Sequence, residues 1–448
     1  MKKGLLLFAG VLFGLNVLSQ NDTIIVEKND KQDIVKKGIS LGPLPVVAFD
    51  QDKGFQYGAI LNIFDFGDGS HYPHPRQQWY IEASAYTKGT QQYFLTYDTK
   101  HLIPGIRMSL AGTVVYDQAM DFYGFNGYQS IFFPEIPTPF YRVERLSMTA
   151  KADFAGNIWE NKLFWQAGYY FAKHRYRPVD LDKINDGKNE DKQFWNETLF
   201  EKYIRWGIIP EDEKDGGFVS ALRMGLMYDT RNFEAAPTRG IWTEANLSLA
   251  PGFLGTTHPH YRYMLTFRHY VPVVKEQLIF AYRLNYQGTL GNYLPFYVMP
   301  VFSTIGREYD RDGIGGYRTV RGIMRNRIQG LDVGFFNAEL RWKFLRTHLW
   351  KQNVFLGLNA FLDGGIVTRD YDLSYRNKTS LVSSIMPADF VEYQKIIDTS
   401  KSDRLHTAAG AGFRIGINQN FIIAIDYAKP FNKQDGSGSL YINTGYLF

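Results

Sequence analysis

The chain has 448 residues and a net charge of +5, which is small for this length and does not indicate nucleic-acid binding. It contains no cysteine, which excludes disulfides, thiol chemistry and lipid attachment through an N-terminal cysteine. Aromatic residues make up 16%, there are 42 glycines, and the mean hydropathy is −0.28, without a long apolar run after the N-terminus. This composition is typical of a membrane β-barrel.

The N-terminus has the pattern of a secretory signal. Lys2 and Lys3 precede the apolar run 5–18, and the small residue Ser19 follows that run. This order predicts a signal peptide over residues 1–19 that is removed after export. The alternative is an anchor helix that is retained.

Alternation of apolar and polar residues dominates most of the chain. Residues 20–40 are predicted to form a short periplasmic tail, and residues 41–448 a barrel domain with a period of two, as in 278–287 and 336–343. A soluble β-sandwich alternates in the same way, so alternation alone leaves both folds open. Arginine and glutamate in mid-strand, Tyr and Trp at strand ends, and the export signal favour a barrel with a lipid-facing exterior and a polar lumen.

The alternating segments predict an all-β fold, a 16-stranded antiparallel transmembrane β-barrel. The predicted strands are 44–50, 54–64, 79–87, 91–100, 108–117, 146–154, 163–172, 218–228, 240–249, 261–270, 277–288, 332–343, 353–362, 408–417, 421–429 and 438–448. Connections from odd to even strands are mostly long, and those from even to odd strands are short. Because outer-membrane barrels have short periplasmic turns and long external loops, this count predicts that both termini are periplasmic.

A glycine-rich and cationic segment, Gly313–Gly330, lies between predicted strands 11 and 12. Its glycines permit sharp turns and close backbone approach, so we predict that this loop folds inward against the barrel wall. Inside a barrel, its arginines need carboxylate partners on that wall. These arginines are Arg318, Arg321, Arg325 and Arg327.

Strand parity identifies partners for the tip of this loop, at Arg321 and Gly322. Apolar residues at alternate positions of strand 13 set its lipid face and point Asp363 inward, and the same test points Glu339 inward. We predict an arginine–carboxylate lock in which Arg321 pairs with both acids through charge-assisted hydrogen bonds. The alternative is that these are ordinary lumen charges solvated by water.

Four motifs resemble those of the BamA/TamA superfamily of outer-membrane barrels, the bacterial surface antigens. TVRGIMRNRIQG resembles the inward-folded sixth loop, with Ile323 in place of an aromatic residue, and FNAELRW and FLDGGIV resemble the two strands after it. The fourth motif, YDTRNFEAAPTRG, resembles the periplasmic turn of the superfamily, at Asp229, Arg231, Pro237 and Gly240. In addition, the start of the barrel, GPLPVVAFDQDKGFQYG, is similar to that of Bacteroidota members.

The resemblance implies the Arg321 pairing as well, and a function in inserting, assembling or translocating proteins or lipids at the outer membrane. Residues 20–40 are too short for a POTRA domain, so we expect a POTRA-less member whose periplasmic handling is supplied by partner proteins. The alternative is a plugged passive pore or a structural subunit of another outer-membrane complex. The expected surroundings are outer-membrane lipid and lipopolysaccharide.

A weakly paired seam is predicted where the first and last strands meet. Pro43 and Pro45 remove backbone donors at the start of strand 1, and Gly436 and Gly438 loosen the entry to strand 16. Such a seam resembles the lateral gate through which BamA-like proteins are thought to pass client strands. The alternative is that the prolines end an ordinary strand.

The chain ends in an aromatic residue. Tyr446 and Phe448 are predicted to close strand 16 on one face, which resembles the C-terminal signal by which barrels are handed to the assembly machinery. That machinery is therefore an expected partner for insertion of this chain. The alternative is an ordinary edge strand.

No motif for catalysis is recognisable, because the chain lacks a Gly-x-Ser-x-Gly elbow, a His-Glu-x-x-His pair and a Walker loop. The pairs His71 with His74 and His258 with His260 have no evident third ligand, so we interpret them as surface histidines rather than a metal site. We expect no enzymatic activity and no cofactor.

Overall fold

The protein forms a closed antiparallel barrel of sixteen strands, seen in a computed structural model that describes residues 37–51, 53–70, 75–234, 236–302, 304–306, 312–349, 352–376, 388–417 and 421–448. Each strand pairs with its neighbours in the sequence, and β1 pairs with β16. The predicted fold class and strand count are confirmed. The strands are β1 Ile39–Asp50, β2 Gly54–Asp65, β3 Gln77–Tyr86, β4 Thr90–Ile103, β5 Ile106–Asp121, β6 Arg142–Trp159, β7 Leu163–Arg177, β8 Gly216–Asp229, β9 Gly240–Ala250, β10 His260–Val274, β11 Leu278–Leu290, β12 Asp332–Leu349, β13 Gln352–Arg369, β14 His406–Ile417, β15 Phe421–Pro430 and β16 Ser439–Thr444.

Side chains alternate between an apolar exterior and a polar lumen. In β10, Arg262, Thr266 and Arg268 are buried inside the barrel, whereas Leu265 between them is half exposed on the outer face. Outer-membrane barrels present this pattern because lipid solvates one face of each strand and the lumen encloses the other. The signal peptide and most of the predicted tail lie outside the described residues.

The two ends of the barrel differ in the length of their connections. Four long connections, residues 122–141, 178–215, 291–331 and 370–405, lie at one end, which we call the long-loop end. The opposite, short-turn end carries tight turns such as 160–162. The strands beside the long connections extend further than predicted, because β5 and β6 remain paired up to Asp121 and Arg142.

Three short helices and a cluster of aromatic side chains form a cap over the long-loop end. The helices are α1 Leu181–Asn185, α2 Leu199–Arg205 and α3 Ala388–Ile396. Trp206 after α2 packs edge-on against Tyr393 of α3, with ring centroids 5.6 Å apart. The sequence predicts no role for these connections, which share one buried core of Phe122, Phe125, Tyr203, Trp206, Tyr297, Tyr371 and Tyr393.

No helix in the described part of the chain is long and apolar enough to cross a membrane.

The C-terminus departs from the predicted continuous strand. β16 ends at Thr444, and Gly445 turns the chain with a φ of 82°, a conformation that glycine adopts at little cost. Tyr446 and Phe448 therefore do not continue the outward face of β16. Their rings lie 4.3 and 4.7 Å from the Arg341 guanidinium, on the inner side of β12.

Candidate functional site

The glycine-rich segment between β11 and β12, Gly313–Gly330, is called the arginine loop below. It folds back on itself through a bridge between Ile314 and Ile328. Ile323, which stands where the resembling motif has an aromatic residue, is fully buried. The loop shares an apolar cluster with the inner faces of the strands that it covers, made of Phe302, Ile314, Val320, Ile323, Ile328, Val333, Phe335, Val367 and Ala408.

Arg321 contacts the two predicted carboxylates at the tip of the arginine loop. Its Nε and Nη2 donate to Asp363 Oδ2 and Oδ1 at 2.8 and 3.0 Å, and its backbone N–H donates to Asp363 Oδ2 at 3.1 Å. Nη2 also lies 2.7 Å from Glu339 Oε1, as an ion pair rather than an aligned hydrogen bond. The guanidinium is stacked 3.5 Å from the ring centroid of Phe361.

A third carboxylate, Asp426 of β15, was not predicted. Its Oδ2 lies 3.4 Å from Arg321 Nη1, and both its oxygens accept hydrogen bonds from Arg414 at 2.7 and 2.9 Å. Glu339 in turn accepts a hydrogen bond from Arg341 at 2.7 Å. The alternation of apolar and polar residues in β15 places Asp426 on the inner face, so the sequence pattern could have predicted this partner of Arg321.

The Arg321 site is therefore a buried network of three arginines and three carboxylates. Burial alone would lower the pKa of Arg321, but the carboxylates of Asp363 and Glu339 raise that pKa well above its usual range. Because each positive charge is paired with a negative charge, the network avoids the large desolvation free energy of an isolated charge in a protein interior. Its members, each at most 2% exposed, are Arg321, Arg341, Arg414, Glu339, Asp363 and Asp426.

Gly322 brings the loop tip against the last two strands. Its φ is 85°, and a Cβ atom at this position would lie 2.9 Å from the Cβ of Ala428 and 3.0 Å from its carbonyl carbon. Its N–H donates to the hydroxyl of Tyr441 in β16 at 3.2 Å. The close approach requires glycine here, and it joins the loop directly to the strand that pairs with β1.

Arg325 holds the arginine loop to the opposite wall. Its Nε donates to Asp121 of β5 at 3.0 Å, and its Nη1 lies 3.3 Å from Asp312 and 3.6 Å from Asp117. Asp117 and Asp312 also pair with Arg145 of β6, at 2.6 and 2.7 Å. The loop thus spans the lumen from β5 to β15.

The other two arginines of the loop do not match the expectation that each pairs mainly with carboxylates. Arg327 donates to the backbone carbonyls of Gly127, Ser130 and Gln434 at 2.9 to 3.0 Å, and its nearest carboxylate contact is 3.8 Å long. Arg318 is exposed. Carbonyl oxygens of neighbouring loops satisfy Arg327 because they converge where the loop leaves the lumen.

The seam between β1 and β16 is short. Among the described residues, β1 pairs with β16 at Phe49 and Asp50, whereas it pairs with β2 along its whole length. Pro43 and Pro45 lie in the part of β1 that has no β16 partner. Gly436 and Gly438 have φ values of 113° and 110° in the turn just before β16.

Residues 230–239 form the turn between β8 and β9 that carries the predicted turn motif. Arg231 pairs with Asp229 at 2.6 Å and lies 3.7 Å from the ring centroid of Trp242. Gly240 has a φ of 108°, and a Cβ there would collide with the carbonyl of Thr230. The side chain of Asn232 accepts from the backbone N–H groups that follow Pro237. Arg231 and Pro237 thus lie within this connection, and Asp229 and Gly240 are the strand residues that flank it.

The candidate metal-binding histidines do not converge. His258 lies 3.0 Å from the hydroxyl of Tyr297 and 3.4 Å from Asp212, and His260 Nδ1 contacts the carbonyl of His258. His71 and His74 lie outside the described residues. Within the part of the chain that the structure describes, no group of three His, Asp or Glu side chains could hold a metal ion.

Comparison with known proteins identifies the family. Residues 86–448 match the model of the Omp85 superfamily domain. The chain belongs to the Omp85 superfamily. This confirms the resemblance to BamA/TamA outer-membrane barrels, and Omp85 barrels of this type act in assembly and transport rather than as enzymes. No curated protein sequence is significantly similar to the chain.

Two solved structures are similar to this chain in fold. BamA from Haemophilus ducreyi lacking POTRA domains 1–3 is 17% identical, with a TM-score of 0.54, over 92% of this chain and 70% of that one. CdiB from Escherichia coli is 10% identical, with a TM-score of 0.52, over 97% of this chain and 69% of that one. The shared architecture is a barrel of the outer membrane.

Proposed function

We propose that this Omp85 barrel takes part in inserting, assembling or translocating proteins at the outer membrane, through the seam between β1 and β16. The observation that carries the proposal is the unequal pairing of β1, whose residues 39–48 pair with β2 and have no partner in β16 among the described residues. An unpaired strand edge presents N–H and C=O groups that another extended chain can bind.

The arginine loop supports this function by bracing the part of the wall that ends in β16. Arg321 joins β12, β13 and β15 through Glu339, Asp363 and Asp426, and Gly322 bonds to Tyr441 of β16. The wall next to the seam is therefore tied to a buried charge network, while the seam itself has few backbone hydrogen bonds. We propose that the Arg321 lock keeps β12–β15 rigid when β1 and β16 separate.

The test is a disulfide across the seam. Phe49→Cys with Ile442→Cys joins two directly paired residues, and the new thiols are the only ones in the chain. A matched control, Val47→Cys with Tyr57→Cys, joins β1 to β2 instead. Both variants would replace the native protein in cells depleted of it, with quantitative outer-membrane proteomics as the readout.

We expect depletion of the protein to lower the abundance of several unrelated barrels or surface lipoproteins in the outer membrane at the same time. The control cysteine pair should restore these abundances under all conditions. The cysteine pair across the seam should restore them only when its disulfide is reduced. Full restoration by the oxidised seam pair would show that the seam does not open. If the outer membrane is unchanged on depletion, general assembly is excluded, and a single-substrate exporter or a structural partner becomes the better account.

The plugged pore is the second candidate, because the arginine loop crosses the lumen from β5 to β15 and the aromatic cap packs at the long-loop end. Steady, large conductance of the purified protein in a planar bilayer would support a pore. Brief, small openings that become large and steady in an Arg321→Ala variant would fit a barrel whose loop keeps the lumen closed. The two outcomes separate transport through the lumen from transport at the seam.

The proposal includes the partners of the barrel and the side of the membrane on which its termini lie. We propose periplasmic termini, contact with outer-membrane lipid and lipopolysaccharide, and partner proteins that do the work of POTRA domains. Co-purification from undepleted cells tests the partners. Protease accessibility of an epitope after Phe448 in intact cells tests the orientation, since a periplasmic C-terminus is protected until the outer membrane is permeabilised.

A further inference from the structure

A buried histidine at the long-loop end joins three parts of the chain that the sequence analysis did not connect: the start of β14, the connection 122–141 and the turn before β16. His406, the first residue of β14, is fully buried, with Nε2 3.0 Å from Asp403 Oδ1 and Nδ1 2.6 Å from Asp435 Oδ1. The ring of Tyr128 stacks on it with centroids 3.9 Å apart, and the Tyr128 hydroxyl donates to Asp435 at 2.6 Å. Arg327 Nε lies 3.8 Å from the same carboxylate. These five residues are called the His406 cluster.

The geometry fixes the protonation of this cluster. A neutral imidazole donates from one nitrogen and presents a lone pair at the other, and both nitrogens of His406 face carboxylate oxygens. Asp403 also accepts from the backbone N–H groups of Tyr128 and Val367 at 3.0 and 2.8 Å, so it is held as an anion. Burial alone would raise the pKa of Asp403, but the hydrogen bonds from His406 and these N–H groups lower it below its usual range.

The cluster is therefore a neutral set of two cations and two anions, enclosed from solvent. No other ionic group faces His406 from β13, where its paired residue is Gly365. The guanidinium of Arg404 lies 5.9 Å from the ring centroid of Tyr128. An enclosed set of this kind has no room for a substrate, so we interpret the cluster as a structural contact between elements of the fold.

What it holds is the tip of the hairpin that ends in β16. Asp435 lies four residues before Ser439, and the neighbouring Gln434 exchanges two hydrogen bonds with the backbone of Phe132, at 2.7 and 2.8 Å. The carbonyl of Asp435 accepts from Met324 N–H in the arginine loop at 3.0 Å. β16 is six residues long and pairs with β15 at all six positions but with β1 at only two, so the tip contacts fix the end of this hairpin next to the short β1 pairing.

We propose that His406 is a positioning residue for the seam: as an imidazolium between Asp403 and Asp435, it fixes the tip of the β15–β16 hairpin and so keeps β16 in register with β1. The inference concerns the position of β16 in the purified protein. It can therefore succeed or fail independently of what the seam transports.

The test measures register directly on purified, refolded protein. In the Phe49→Cys/Ile442→Cys background, His406→Gln is expected to slow disulfide formation across the seam about ten-fold, the effect of losing a hydrogen bond between charged groups. Hydrogen exchange of residues 431–444 should accelerate by a similar factor, while residues 278–290 of β11, a strand that does not pair with β16, keep their protection. The matched control is His258→Gln, which removes a long-loop histidine that also contacts an aspartate and a tyrosine but not this hairpin.

A double-mutant comparison separates the proposed contact from general loosening. Asp435→Asn should have the effect of His406→Gln, and the two together should do no more than the stronger one alone, because they remove one interaction. Additive effects, or unchanged crosslinking and exchange in a folded His406→Gln barrel, would overturn the proposal. Should His406→Gln not fold, Gly127→Ala tests the same contact, since a Cβ there would lie 2.6 Å from His406 Nε2.

Discussion

The two anchors of the arginine loop, Arg321 and Arg325, differ in how their charges are shared with other side chains. Arg321 is fully buried, and its carboxylates come from the three strands β12, β13 and β15. Arg325 is also buried, but one of its partners, Asp312, immediately precedes the loop and also pairs with Arg145 and Lys53. Equal numbers of ion pairs do not mean equal importance, because removing Arg321 leaves the buried Asp363 without its cation partner, whereas removing Arg325 leaves Arg142 beside Asp121 and Arg145 beside Asp117 and Asp312.

The largest effect is expected for Arg321→Ala. Breaking a buried network by removing one partner leaves uncompensated charge, which costs about 3–5 kcal/mol. We expect the folded barrel to lose heat resistance on a gel and the loop to become sensitive to protease. Arg321→Lys should recover part of the loss, since lysine keeps the charge but not the paired hydrogen bonds to Asp363. Unchanged mobility and protease resistance of Arg321→Ala would falsify the lock.

Gly322→Ala is expected to come next. The residue must keep a φ of 85°, and its new methyl group meets the Ala428 backbone at 3.0 Å, so strain and collision together should cost about 2–4 kcal/mol. Gly316→Ala is the matched control, with a similar φ of 81° and nearest neighbours at an ordinary 3.5 Å. Thermal unfolding in detergent measures both, and equal losses would mean that strain alone matters and that the contact with β15 does not.

Arg325→Ala should have a smaller effect, about 2 kcal/mol, from lost hydrogen bonds to charged groups. Arg145 and Lys53 remain near Asp117 and Asp312, which limits the uncompensated charge. Thermal unfolding beside Arg321→Ala is the measurement. A loss for Arg325→Ala as large as that for Arg321→Ala would contradict the ranking of the two anchors.

The smallest effect is a pH dependence at the Arg325 anchor. Burial alone would raise the pKa of Asp312, but Arg145, Lys53 and Arg325 lower it well below its ordinary 3.8. Because the folded pKa is depressed, the stabilisation is fully present above pH 3.8 and is lost as the pH falls through the folded value. Melting temperatures of wild-type protein and Asp312→Asn should therefore converge in strong acid and differ by a constant amount above that pH. A difference that persists unchanged in strong acid would show that ionisation of Asp312 does not stabilise the anchor.

The sequence by itself determined the strand count, the inward faces and the pairing of Arg321 with Glu339 and Asp363, because side-chain direction follows a local period of two. Only the tertiary structure decided which residues meet across the lumen. Asp426 joins Arg321, and Arg325 reaches Asp121, because barrel closure brings distant strands together at distances that no local pattern encodes. The cap arises from packing among the four long connections, and the His406 cluster joins three of them to the turn before β16. The inward C-terminus follows from Gly445, whose turn sends Phe448 to the cation of Arg341 instead of to lipid.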